Sequence, residues 1–123
     1  MKYLLILLGG GGGSLTRYLV GIAIVTRLGS RFPIAGTMTI NGSGSFLIGL
    51  LMTLITERFG AGSNLRPLLV IGFLGGYTTF SSFEWETYSA IRDGGFWAGM
   101  ANIVGTVVLG YAAVWLGAVW ARR

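Results

Sequence analysis

Four apolar blocks, at about residues 3–25, 34–56, 67–90 and 95–119, take up most of the chain and leave only short polar connectors. A helix needs roughly 20 apolar residues to cross the hydrocarbon of a bilayer, and each block reaches that length. Inside lipid every backbone N–H and C=O must be bonded within its own segment or against protein, which limits a spanning chain to helices or a closed barrel. Charged residues make up only 11% of the sequence and hydrophobic ones 53%, and no soluble core of this size could hide so much apolar surface. The pattern predicts an all-α membrane protein: one domain, residues 1–123, of four transmembrane helices with both termini on one side.

The same composition removes whole classes of chemistry. Cysteine and histidine are absent, so disulfides, thiol nucleophiles, imidazole bases and the usual zinc or haem ligands are excluded. The only carboxylates are Glu57, Glu84, Glu86 and Asp93; none pairs with a nucleophile, and no phosphate loop is present. The chain does not read as an enzyme. Its net charge of +5 comes from singly scattered Lys and Arg rather than a basic patch, so nucleic acid is not an expected partner. Glycine is the outlier, at 22 of 123 residues, where about 7% is usual. In a membrane chain that excess points to helices packed closely at small residues.

Along the chain, the opening Met1–Leu8 has the look of a secretory signal, but apolar character resumes after the glycines and no small-residue cleavage site follows. It is read as the first span. Gly9–Gly13 gives that span a flat surface for another backbone. Arg17 lies within the span and costs at least about 2.5 kcal/mol near the bilayer centre; it either snorkels to the interface or marks a positive potential where an anion enters. The second span carries a stripe at helical spacing, Thr37, Asn41, Ser45, Gly49 and Thr53. Asn41 is mid-span and needs a partner. Pro67 sits where a third helix would begin. The fourth span repeats the one-sided pattern with Gly95, Gly99, Asn102, Thr106, Gly110, Ala113 and Gly117, and Trp115 and Trp120 approach its end as interfacial aromatics do.

The third block is irregular. Gly75-Gly76 is followed by four hydroxyl residues, Thr78, Thr79, Ser81 and Ser82, interrupted by Phe80 and Phe83 three residues apart. A helix broken near Gly75-Gly76 is expected, and irregular backbone at this depth is tolerated only where it is buried in protein or lines a pathway. The ligand chemistry on offer is amide N–H from Asn41 and Asn102, hydroxyls from Thr37, Ser45, Thr78, Thr79, Ser81, Ser82 and Thr106, and the positive edges of the Phe80 and Phe83 rings. Such donors replace an anion's hydration without trapping it. Freed carbonyls at the break suit a hard cation such as Na+. Glu84 and Glu86, near the end of the block, either lie at the interface or bond the freed backbone. Basic residues divide five to three between the two sides, counting Lys2, Arg58, Arg66, Arg122 and Arg123 against Arg27, Arg31 and Arg92. So weak a bias allows insertion in both orientations and hence an antiparallel homodimer.

Gly75-Gly76-Tyr77-Thr78-Thr79-Phe80-Ser81-Ser82-Phe83, with Glu86 beyond, resembles the signature of the CrcB/Fluc family of fluoride channels. The likeness runs through Gly10–Arg17, through Thr37, Asn41 and Gly49, and into the glycine-rich fourth span. The resemblance implies a dual-topology antiparallel homodimer in the cell (inner or plasma) membrane, surrounded by the lipid bilayer and exporting fluoride passively. It implies a structural Na+ at the dimer centre, held by the backbone carbonyls of Gly75 and Thr78. Phe80, Phe83 and Asn41 match the pore residues, with hydroxyls from Thr79, Ser81 and Thr106 along the path. Asn102 stands where the family often has tyrosine, and Glu84 where it often has serine.

Two other readings compete. A small proton-coupled multidrug-type exporter also has four spans and dual topology, but needs a carboxylate in its first span, and none is present. A non-transporting assembly subunit would account for the glycines but not for the aligned polar stripes.

Overall fold

The computed structural model describes residues 1–29, 33–60 and 62–123; Arg31 of the first connector lies outside them. Every regular element among these residues is helical. Helix α1 spans Lys2–Leu28. Helix α2, Pro33–Leu54, continues into a π-turn, Ile55–Phe59. The third block opens as a π-helical segment, Arg66–Leu74, with Pro67 in its first turn. It closes with a single α-turn, α3 (Gly75–Tyr77), and resumes as α4 (Phe80–Arg92). Helix α5 spans Phe96–Ala121. Among the described residues, three helices are long and apolar enough to cross a membrane: Lys2–Leu28, Ile34–Phe59 and Phe96–Ala121. The expected third span is instead split in two pieces.

The break falls two residues beyond the glycine pair. Gly75 keeps helical angles, whereas Thr78 (φ −79°, ψ 158°) and Thr79 (φ −149°, ψ 124°) are extended. A hydroxyl residue explains the position: Thr79 caps α4, its Oγ1 accepting from the Ser82 N–H at 3.3 Å. Gly76 serves packing rather than bending, because a β-carbon there would overlap the Gly10 carbonyl of α1.

Glycines join the helices in two pairs, and in each pair residue numbers rise together along both partners. Against α1, β-carbons at Gly9 and Gly13 would overlap the Leu68 and Phe73 carbonyls, and one at Gly72 would sit 2.9 Å from the Ile6 carbonyl. Between α2 and α5, β-carbons at Gly49 and Gly117 would overlap the Val114 and Phe46 carbonyls. Contact this close is how helices gain dispersion energy where lipid offers no hydrophobic drive between them. The small core between the pairs is Ile40, Leu74 and Tyr77, with Val20, Leu47, Leu51 and Phe73 around it. The outside is apolar: Tyr3, Leu7, Trp97, Val107, Tyr111 and Trp120 are all more than 60% exposed, a surface suited to lipid or another apolar chain and not to water.

Candidate functional site

The site begins at the break, where the extended residues leave helical hydrogen bonds unmade. In a continuous helix the Thr79 N–H would go to the Gly75 carbonyl. Here it donates to Asn41 Oδ1 at 2.9 Å, while Asn41 Nδ2 donates to the Thr79 carbonyl at 2.8 Å. A side-chain amide on α2 thus satisfies both backbone polar groups of one extended residue, as its depth in a membrane requires. Exchanging the amide's O and N would set oxygen against oxygen and N–H against N–H, so its orientation is fixed. The second N–H of Asn41 has no protein partner among the described residues.

A cavity of about 490 Å³ adjoins this joint, and Asn41, Ser45, Thr79, Phe80, Phe83 and Thr106 are among the residues lining it. None of its lining residues is charged. The Phe80 and Phe83 rings lie 5.7 Å apart at 45°, but in different settings: Phe80 is 73% exposed and Phe83 only 5%. Gly75 and Thr78 also line this cavity. Five of the seven expected pathway residues are therefore brought to one wall: Asn41, Thr79, Phe80, Phe83 and Thr106. The other two are not. Asn102 lies buried behind Thr106, whose hydroxyl donates to its Oδ1 at 3.2 Å, and Ser81 sits on the exposed face of α4 and lines neither this cavity nor the next.

A second cavity, about 410 Å³, also reaches Thr79 and is lined by Arg17, Tyr18, Thr26, Thr37, Ser82 and Glu86 among others. This one carries charge of both signs. Arg17 does not snorkel away; its guanidinium donates to the Thr78 carbonyl at 3.3 Å. Glu86 accepts from the Thr37 hydroxyl, and its other carboxyl oxygen is buried with no partner among the described residues. Glu86 therefore bonds a side chain rather than the freed backbone, while Glu84 is exposed. The molecule thus has an uncharged cavity and a charged one, both reaching the same extended residue.

A family model described as CrcB-like protein, Camphor Resistance (CrcB), matches residues 4–118. The chain belongs to the CrcB family. Among curated members, a protein named fluoride-specific ion channel FluC from Solibacter usitatus (strain Ellin6076) is 68% identical over the full length of both chains. A protein of the same name from Hydrogenobaculum sp. (strain Y04AAS1) is 49% identical, covering 95% of this chain and 94% of its own. A third, from Acidobacterium capsulatum, is 45% identical over all of this chain.

Within this CrcB chain, sequence reasoning found the Asn41 stripe and the break but missed three links: Arg17 to Thr78, Thr37 to Glu86, and Asn102 to Thr87. Each joins residues from different membrane-crossing blocks, and no local spacing encodes such a pairing. The Na+ expectation bears on Gly75 and Thr78. Their carbonyl oxygens are of the right kind for a hard cation, and the Gly75 carbonyl lacks the N–H that Thr79 gives to Asn41. A β-carbon on Gly75 would meet nothing within 4 Å, so that position is open on the single chain. Two carbonyls are fewer than the roughly six oxygens or more that hard cations gather, so one chain alone would not make a complete site.

Proposed function

We propose that this chain is a fluoride-selective channel that lets fluoride leave the cytoplasm passively across the cell membrane, working as an antiparallel, dual-topology homodimer. The observation that carries the reading is the uncharged cavity beside the helix break, lined by Asn41 with its spare N–H, by Phe80 and Phe83, and by Ser45. Fluoride gives up a large hydration energy on entering such a space. The Asn41 amide, the Ser45 hydroxyl and the positive edges of aromatic rings offset that loss. The absence of a fixed positive charge among the lining residues keeps binding weak enough for the ion to leave. Membership of the family supports the reading, since its named relatives are fluoride-specific ion channels.

The roles divide by position. Asn41 is held by Thr79, so its free N–H points from a rigid support and needs no reorganisation when an ion arrives. Arg17, in the second cavity, supplies the positive potential that would draw an anion toward the break. Na+, held by the Gly75 and Thr78 carbonyls of two facing chains, would tie the dimer together at its centre. Both copies would place their apolar outer surfaces against lipid.

Fluoride efflux from proteoliposomes, read by a fluoride electrode with a potassium ionophore present, tests the proposal. Fast fluoride release without chloride release is the expected result. Release that needs an imposed proton gradient would replace the channel by a coupled exporter. No release from well-folded dimer in Na+ would leave an assembly subunit as the better account.

A further inference from the structure

The uncharged cavity has a second layer behind it that the pathway alone does not explain. Asn102 on α5 is 3% exposed and Thr87 on α4 is 5% exposed. Asn102 Nδ2 donates to Thr87 Oγ1 at 2.9 Å. The Thr87 hydroxyl in turn donates to the Phe83 carbonyl at 2.8 Å. At the other end Thr106 Oγ1 donates to Asn102 Oδ1 at 3.2 Å. The series runs from one cavity-lining residue, Thr106, to the backbone of another, Phe83, through two side chains that line no part of the cavity.

The proton inventory gives the series a direction. A hydroxyl has one hydrogen and an amide nitrogen two. Thr87 commits its hydrogen to Phe83, so its oxygen can only accept from Asn102. That places the Asn102 carbonyl toward Thr106, and Thr106 must then donate. Its single hydrogen is turned out of the cavity, and its lone pairs are what remain for the cavity wall. Asn41 lines the same cavity and keeps one N–H without a protein partner among the described residues. Phe83 lines it too, on the turn whose carbonyl the series holds.

We infer that Asn102 is a positioning residue for ion selection: through Thr87 it fixes the Phe83 turn, and through Thr106 it orients the hydroxyl so that an anion is favoured on the Asn41 side of the route. The inference rests on the channel reading above. Asn102 does not touch the ion; it sets the geometry of two groups that face it. Breaking the series leaves buried polar groups without partners, which disturbs the wall even where the fold survives.

The test is a double-mutant cycle on fluoride efflux with the relative permeability of fluoride and chloride as second readout. Asn102→Leu and Thr87→Val should each lower fluoride flux by roughly tenfold and reduce the fluoride-to-chloride ratio. The double variant should lose no more than the worse single one, because both remove the same series. Thr87→Ser keeps the hydroxyl and should restore flux and selectivity. Losses that multiply, a selectivity ratio unmoved while flux falls, or a Thr87→Ser variant as impaired as Thr87→Val would each overturn the inference and leave Asn102 as ordinary packing. The native chain run alongside separates the two levels. Native efflux with unaffected variants removes only the role of Asn102, whereas no native efflux removes the channel reading and this inference with it.

Discussion

Asn41 and Thr79 exchange two hydrogen bonds across the break, amide N–H to carbonyl at 2.8 Å and backbone N–H to amide oxygen at 2.9 Å. Only a side chain with a donor and an acceptor in one plane can do both. The exchange closes the gap in the third block and at the same time fixes the one Asn41 N–H left without a protein partner among the described residues.

Replacing that donor tests both functions together. In Asn41→Asp the Thr79 N–H keeps its acceptor, but the Thr79 carbonyl then faces a carboxylate oxygen. Loss of a buried hydrogen bond with oxygen left against oxygen costs about 2–3 kcal/mol, so fluoride flux should fall by roughly 30- to 150-fold. Efflux normalised to the amount of reconstituted protein checks this. Flux within about threefold of native, a cost well under 1 kcal/mol, would remove Asn41 from the route.

The glycines make a contrasting prediction about stability. A β-carbon at Gly13 would overlap the Phe73 carbonyl, whereas one at Gly11 would meet nothing within 4 Å. Gly13→Ala forces two backbones apart and should cost about 1–3 kcal/mol. Gly11→Ala should be neutral or slightly stabilising, by up to about 1 kcal/mol, through helix propensity. Thermal unfolding in detergent distinguishes the two, and equal midpoints would contradict the close packing of α1 against the third block.

That contrast also marks what was legible in the sequence. The run Gly9–Gly13 announced a flat helix face, but not that Gly9 and Gly13 touch while Gly11 does not, because the facing helix decides which glycines it meets. Gly75-Gly76 drew attention as the break, yet the chain opens at Thr78 and Thr79, where a capping hydroxyl and the Asn41 amide replace the lost helical bonds. The stripe Thr37–Asn41–Ser45 shares one face of its helix by spacing. It serves three ends in fact: Thr37 bonds Glu86, Asn41 bonds Thr79, and Ser45 faces the cavity. Periodicity identifies a face of a helix; the residues on the facing helix determine what each member of that face does.

Phe80 and Phe83 should separate under the same substitution. Phe80 is 73% exposed, so Phe80→Ile removes a ring from the cavity with little lost packing. Phe83 is 5% exposed, and Phe83→Ile should cost about 1 kcal/mol or more of stability besides its effect on flux. The expected pattern is reduced flux in both and a lowered unfolding midpoint in Phe83→Ile alone. A Phe80→Ile variant with native flux would place the ion's route elsewhere.

Arg17 acts at a distance if it draws anions, and distance makes its effect depend on salt. The Debye length shrinks from about 30 Å at 0.01 M to about 8 Å at 0.15 M. Arg17→Gln should therefore lower fluoride flux several-fold at low ionic strength and less at high ionic strength. A deficit equal at both would mean that the guanidinium matters through its bond to the Thr78 carbonyl and not through its field.

The last prediction concerns Gly75, whose open position on the single chain distinguishes dimer contact from internal packing. A β-carbon there meets nothing within 4 Å and the residue is exposed, so Gly75→Leu should leave each chain folded. If the carbonyls of Gly75 and Thr78 from two chains share a Na+, the leucine intrudes at that junction. Binding of Na+ to the assembled state alone stabilises it by RT ln(1 + [Na+]/Kd), about 2.7 kcal/mol at a hundredfold excess over Kd. The native protein's unfolding midpoint should then rise with Na+ and not with choline, and Gly75→Leu should abolish that rise and elute as the smaller species. A native midpoint indifferent to Na+ would argue against the ion. A Gly75→Leu protein that still dimerises with full Na+ dependence would place the junction away from the break, and the openness of Gly75 would then reflect contact with lipid.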